Sequence, residues 1–212
     1  MAAQKMRRCV IVTAGPMGDY DKLKNKIEPD DYIICADGGI DHLKGLGLKP
    51  DLIIGDLDSA QNLPDGIEVK RFKSEKDETD TMLAVMHALD RGFKEIVLLG
   101  GLKGRLDHTF ANLSCLQYIH RRGARGCFLD SDNEAYFVEN GSIKFNPRKG
   151  YYISVFPFGG DAAGVTEKGF KYSLDNAVMT TDLPIGVSNE FLDGTGEISV
   201  KSGALLIILS KK

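Results

Sequence analysis

The segment Asp51-Leu-Ile-Ile-Gly-Asp-Leu-Asp-Ser59 runs a short apolar stretch into two carboxylates, Asp56 and Asp58, one residue apart and followed by a hydroxyl. A strand of this kind delivers both acids to the carboxyl edge of a sheet, where open α/β sheets bind their ligands. Residues two apart on a strand point to one face, about 6.6 Å apart along the chain, and a bend after Gly55 would bring them closer. Such a pair suits a hard divalent cation, and a cation there suits phosphate. Asp37, at the end of the apolar run 32–36, and Asp80, at the start of a helical stretch, fall at comparable places. Crowded carboxylates take up protons unless a cation lies between them, so Asp37, Asp56, Asp58 and Asp80 form a candidate Mg²⁺ site with room for waters and substrate phosphates. Each acid also has a plainer reading. Asp37 suits a turn before Gly38-Gly39, Asp80 suits a helix N-terminus with Asp77 as N-cap, and the Asp56/Asp58 pair suits a solvated loop.

A second cluster is Leu98-Leu-Gly-Gly-Leu-Lys-Gly-Arg-Leu-Asp-His108. Gly100, Gly101 and Gly104 allow close backbone approach to an anion. Lys103 and Arg105 add positive charge, and a guanidinium matches phosphate oxygens bidentately. Asp107 would orient Arg105 or cap the next helix. The loop has neither the Gly-Lys-Ser/Thr ending of a Walker loop nor dinucleotide-fingerprint spacing. Lys76 is a candidate phosphate contact beside the plainer reading of a solvated lysine. His108 reads as a helix-surface residue, and Arg121, Arg122 and Arg125 as a solvated helix end.

The elements that must position these residues change character along the chain. Up to about residue 132, apolar runs at 9–14, 32–36, 51–55, 67–72, 95–99 and 127–129 read as strands, many ending at Gly. Helices are expected over 40–46, 79–91 and 107–122, the second with Met82, Leu83, Met86 and Leu89 as its apolar positions and the third with Leu113, Leu116, Tyr118 and Ile119. This alternation argues a doubly wound, mainly parallel α/β domain over 1–132. Residues 133–212 read as a separate all-β sandwich domain, with strands expected at 135–139, 142–145, 151–156, 170–174, 177–181, 197–200 and 204–209. Asn140-Gly141 is a hairpin signal between the first two of these.

Composition bounds the partners. Of 212 residues 42% are hydrophobic, enough for a sizeable core, and the 27 basic and 30 acidic residues leave a net charge of −3. That balance gives no sign of nucleic acid or a membrane surface as partner. No apolar run approaches a membrane span, and no secretory signal is expected at the amino terminus. Cys9, Cys35, Cys115 and Cys127 lack C-x-x-C spacing and read as buried free thiols of a cytoplasmic protein.

Taken in order, Ala36-Asp-Gly-Gly39, Gly55-Asp-Leu-Asp-Ser59, Glu75-Lys-Asp-Glu-Thr-Asp80, Gly100-Gly-Leu-Lys-Gly-Arg-Leu-Asp-His108, Lys168-Gly-Phe-Lys-Tyr172 and Val187-Ser-Asn-Glu-Phe191 resemble the thiamine pyrophosphokinase family, in its bacterial form. The resemblance implies an ATP- and Mg²⁺-dependent transfer of pyrophosphate to thiamine, by a homodimer with active sites at the subunit interface. It implies that Asp37, Asp56, Asp58 and Asp80 hold magnesium and the reacting groups, with Asp56, Asp58, Asp80 and Arg105 catalytic. Ser59, Lys76, Thr79 and Arg105 would contact the nucleotide phosphates, with Asp107 supporting Arg105. Ser188 and Asn189 would contact thiamine at the neighbouring subunit's site. Lys76 matches the bacterial pattern, where animal relatives have Gln, and Tyr172 stands where they have an indole. Phe170, Tyr172 and Phe191 could face the thiazolium cation or simply fill a sandwich core. The competing expectations are a pyrophosphokinase for another hydroxymethyl substrate, such as a reduced pterin, and a non-catalytic nucleotide-binding module.

Overall fold

The computed structural model describes residues 8–56, 66–72 and 77–212. The chain divides into two compact units, Met1–Ser131 and Asp132–Lys212.

In the first unit the strands are β1 (Cys9–Val12), β2 (Tyr32–Ala36), β3 (Leu52–Gly55), β4 (Glu68–Arg71), β5 (Glu95–Leu99) and β6 (Arg125–Leu129). They pair in parallel in the order β4-β3-β2-β1-β5-β6. The chain steps outward from β1 to β4 and then returns to the other side of β1 as β5. That reversal is a topological switch point, the place where open α/β sheets bind ligands at the carboxyl ends of their strands. β1, β2 and β3 are buried throughout, as strands covered on both faces must be.

Alternate side chains of these strands feed opposite layers. Val10, Val12, Ile33, Cys35 and Ile53 pack with Leu23 of α1 (Tyr20–Lys24) and with Leu43 and Leu46 of α2 (Ile40–Leu46). α3 (Asp80–Asp90) lies against β1, β2 and β3, and α4 (Leu106–Arg121) against α3 and β6. The buried face of α3 is Ala84, Val85 and Ala88, not the expected Met82, Leu83, Met86 and Leu89. The two alanines let the helix axis approach the sheet, and the longer side chains flank the contact half-buried. In α4 the buried stripe includes Leu113, Leu116 and Ile119 as expected, while Tyr118 sits at the margin and accepts a hydrogen bond from Arg122. α1 has only one buried residue, Leu23, and no helical period announces it.

All four cysteines are free, and Cys9, Cys35 and Cys115 are buried. Burial raises all three thiols, Cys35 and Cys115 to about 12.

The second unit is a sandwich of two antiparallel sheets. One holds β7 (Asn133–Glu139), β14 (Ala204–Lys211), β9 (Tyr151–Pro157) and the short β12 (Asn189–Glu190). The other holds β8 (Ser142–Phe145), β13 (Gly196–Ser199), β10 (Ala162–Lys168) and β11 (Leu174–Met179). Val138, Ile153, Val155, Leu205 and Ile207 of the first sheet meet Phe145, Val165, Met179 and Ile198 of the second. Two expectations are corrected. Asn140-Gly141 closes no hairpin, because β7 and β8 belong to different sheets. Asn140 takes a left-handed conformation, and its N–H and side-chain oxygen engage Gly203 instead. The strand expected at 170–174 is largely a turn, reduced to one bridge between Phe170 and Phe191. The ladder strand is β10, whose alternation is masked by Ala162, Ala163 and Gly164.

An added Cβ at Gly39 would lie 2.2 Å from the Val12 carbonyl oxygen, a backbone atom that cannot step aside. Gly39→Ala should therefore destabilise the first unit by about 2–3 kcal/mol, read as a lower urea midpoint with unchanged slope. A midpoint equal to that of the parent chain would show that the turn is free to move.

Candidate functional site

The edge at the carboxyl ends of β2 and β3 is fixed by strand register. Ala36 lies opposite Ile54, so the residues that follow, Asp37 and Gly55, come level, and Asp56 is next. Asp37 opens a short 3₁₀ turn, Asp37–Gly39, with φ of 40°. This left-handed geometry is one that Asp tolerates better than most residues. A Cβ at Gly55 would lie 3.0 Å from the Asp37 Cα and 3.2 Å from its Oδ1. The glycine thus makes the space into which the Asp37 carboxylate leans.

Asp80 is the first residue of α3, whose N-cap is Thr79 rather than Asp77. The Thr79 hydroxyl accepts the Met82 N–H at 3.2 Å. Since α3 follows β4 and leads to the parallel β5, its N-terminus begins on the same carboxyl edge. Among the described residues no three His, Cys, Asp or Glu side chains gather closely enough to hold a metal ion. Asp58, Ser59 and Lys76 lie outside the described residues. Two carboxylates borne on neighbouring strand ends are donors of a kind that fits Mg²⁺, which is commonly held by one or two carboxylates plus waters and substrate phosphates rather than by an all-protein cage.

At the switch point the ends of β1 and β5 are drawn together. Thr13 donates through its N–H and its hydroxyl to the Leu99 carbonyl, both at 3.0 Å. A Cβ at Gly15 would fall 2.6 Å from the Gly101 nitrogen, and one at Gly101 would fall 2.5 Å from the Asn112 amide. Gly15 and Gly101 are therefore required for internal close approach, whereas sequence reading assigned Gly101 to an anion. The buried Asn112 amide holds the loop by donating to the Gly101 carbonyl at 2.9 Å.

The two cations of this loop differ. The Lys103 ammonium lies 3.6 Å from Asp130, whose side chain is fully buried. The Arg105 guanidinium, 72% exposed, is held bidentately by Asp107, with Nε and Nη2 donating at 3.2 and 2.6 Å. Arg105, together with the His108 N–H, holds the Asp107 carboxyl down to about 2. An exposed pair of this kind contributes little net stability, so the fork is exchangeable for another anion. His108 is on the surface, as expected.

In the second unit Tyr172 and Ser188 are exposed, and Ser188 has φ of 61°. Its N–H donates to Ser154 Oγ at 3.0 Å. Phe170 is buried and packs on Phe191 with ring centroids 5.2 Å apart, which leaves Tyr172, 62% exposed, as the available ring. Lys171 places its ammonium 5.5 Å from that ring's centre, so the face already holds a cation. Asn189 is buried and uses both ends of its amide. Oδ1 accepts from the N–H of Tyr172 and of Glu190, and Nδ2 donates to the Tyr172 carbonyl and to Glu167 Oε2. Sequence reading did not single out Glu167. Its position on a β-rich run, among the buried alternate residues of β10, was the available signal.

Comparison with known proteins bears on both units. Residues 23–128 match the family described as thiamin pyrophosphokinase, catalytic domain, and residues 141–205 match thiamin pyrophosphokinase, vitamin B1 binding domain. The chain is 28% identical to the thiamine pyrophosphokinase of Bacillus subtilis over 97% of its own length and 99% of the relative's. It is 26% identical to a thiamin pyrophosphokinase of Caenorhabditis elegans, covering 94% of this chain and 86% of that one. The crystal structure of the B. subtilis protein superposes with a TM-score of 0.89 at 27% identity, covering 97% of this chain and all of that one. That of the Geobacillus thermodenitrificans protein gives 0.84 at 26% identity, covering 96% and 97%.

The Asp107 titration checks the fork. Its folded value lies below the ordinary 3.8, so the pair is intact above that pH and is lost as pH falls through about 2. A carboxyl-carbon NMR titration should give a midpoint near 2, moving back toward the ordinary value in Arg105→Met. An unmoved midpoint in that variant would remove Arg105 as the cause.

Proposed function

The chain belongs to the thiamin pyrophosphokinase family, and from that premise we propose how its residues divide the reaction. The enzyme transfers the pyrophosphoryl group of ATP to the hydroxyl of thiamine, giving thiamine diphosphate and AMP. The match of the second unit to a vitamin B1 binding domain favours thiamine over another hydroxymethyl substrate such as a reduced pterin. The observation that best supports the chemistry is the Asp37 carboxylate leaning over Gly55, the residue before Asp56, at the ends of neighbouring parallel strands.

On this reading Asp37 and Asp56 hold Mg²⁺ together with the triphosphate, with Asp58 and Asp80 completing the acidic edge. When bound, the ion neutralises charge on the phosphate oxygens. Arg105 leaves Asp107 for the phosphates and stabilises the charge that builds as the bond to the α-phosphate oxygen breaks. Ser59, Lys76 and Thr79 add phosphate contacts, Thr79 from the N-terminus of α3, where the helix dipole favours anions. The thiamine hydroxyl attacks the β-phosphorus in line, with Asp58 or Asp80 as the nearest carboxylate. Positioning and electrostatics supply most of the acceleration, as in phosphoryl transfer generally.

The vitamin is recognised by the second unit. Tyr172 offers its face to the thiazolium cation in place of Lys171, and Ser188 offers a hydroxyl. Asn189 acts by fixing these two, since its own amide is fully engaged. The enzyme is further proposed to be a homodimer in which Ser188 and Asn189 of one subunit serve the nucleotide site of the other. The exposed Leu183, Ile185 and Val187 beside Ser188 support a covered surface there. Three buried free thiols support a cytoplasmic setting. Among the described residues no helix is long and apolar enough to cross a membrane.

AMP release dependent on added thiamine tests the function, and its absence with Mg·ATP present would overturn it. In the same assay Asp56→Asn should lower kcat by a factor of about 100 or more with the fold intact. Near-normal turnover across a magnesium titration would take Asp56 out of the metal role. Arg105→Lys keeps the charge but loses the fork, and kcat/KM for ATP should fall roughly 10- to 100-fold. Unchanged ATP kinetics would rule out bidentate phosphate binding.

A further inference from the structure

Glu167 is a carboxyl that the reaction does not use, sealed inside the second unit at 1% exposure. One oxygen accepts from Asn189 Nδ2 at 3.0 Å, and the other has no hydrogen-bond partner among the described residues. A buried acceptor left this way is costly, so its retention calls for a reason. Glu167 also lines a pocket of about 80 Å³ with Tyr172, Leu174, Ile185, Val187 and Asn189. Tyr172, Ile185 and Val187 are exposed, so the pocket runs from the surface that offers Tyr172 down to the buried acid.

The hydrogen bonds around Asn189 show what the acid does. An amide can be turned end for end, and only its partners decide which end is oxygen. Here one end faces two N–H donors and must be the oxygen. The other faces the Tyr172 carbonyl and Glu167, two acceptors, and must be the NH₂. Glu167 thereby favours the one orientation in which Asn189 grips Tyr172 by both its N–H and its carbonyl. The same segments are joined by the Lys171 N–H to the Glu190 carbonyl at 2.9 Å. The aromatic face of Tyr172 and the hydroxyl of Ser188, one residue before Asn189, are thus held in a single arrangement. Burial raises the Glu167 carboxyl above its ordinary value.

We propose that Glu167 is a positioning residue for vitamin recognition, locking the Asn189 amide and through it the placement of Tyr172 and Ser188. The inference rests on the thiamine pyrophosphokinase reading and deepens it. Its signature is a change confined to the vitamin side of the kinetics.

The test uses the full-length enzyme with Glu167→Met, which keeps the length of the side chain and removes the acceptor, and Glu167→Gln, which keeps an acceptor for Asn189. The Met variant should raise KM for thiamine roughly tenfold while KM for ATP and kcat stay within about twofold of the parent values. The Gln variant should restore KM for thiamine to near the parent value. Hydrogen exchange at the Tyr172 and Glu190 amides should quicken in the Met variant and not in the Gln variant, a readout that needs no substrate. If the Met variant does not fold, Glu167→Thr takes its place with the same expectation, since its shorter side chain falls short of Asn189 and suits a strand. An unchanged KM for thiamine, an equal rise in both KM values, or a Gln variant as impaired as the Met variant would overturn the proposal. A parent enzyme that forms no AMP with thiamine would instead overturn the reading beneath it.

Discussion

The parallel register of β2 and β3 is the constraint on which the acidic strand edge depends. It brings Asp37 level with Gly55, and the missing side chain at Gly55 leaves the volume that the Asp37 carboxylate enters. Everything nearby follows from keeping that volume open. The left-handed turn at Asp37 tips its side chain toward β3, and Gly39 lets the turn settle on the Val12 carbonyl. Two acids on adjacent strand ends are an unfavourable pair alone and a suitable one around a cation.

The carboxyl edge of the first unit was largely legible in the sequence, because apolar runs that end in Asp or Gly signal strand, direction and edge at once. Asp37 and Asp56 were placed at the edge this way, and Asp80 by the start of a helical stretch. What was not legible depends on contacts far apart in the chain. The alanine face of α3 was hidden because size, rather than hydrophobicity, decides which side approaches a sheet. Gly101 read as an anion-binding glycine, and only the pairing of β1 with β5 shows that it must pass close to Gly15. Asn140-Gly141 carries a strong local turn signal, but the partners of Asn140 lie at Gly203, 63 residues away. β10 escaped notice because small residues at its start blur the period-two pattern, and Glu167 went with it.

The two units solve opposite electrostatic problems. The first keeps its reactive charge near solvent, with Arg105 and Asp107 neutralising each other through an exposed fork. The second hides its polar groups, with Asn189 fully bonded and Glu167 half-bonded in the interior. An exposed pair can exchange partners at small cost, whereas a buried network holds one geometry. This division suits a reaction in which the phosphates must be gripped and released while the alcohol must be aimed.

The buried cysteines carry a consequence of their own. Attack by peroxides and alkylating agents proceeds through the thiolate, and burial leaves Cys35 and Cys115 almost none of that form at neutral pH. Three thiols standing in β1, β2 and α4 are thus shielded by the same layers that hold the acidic strand edge in register. Oxidative damage to them can begin only after those layers have parted, so loss of a thiol marks a molecule that has already lost its shape.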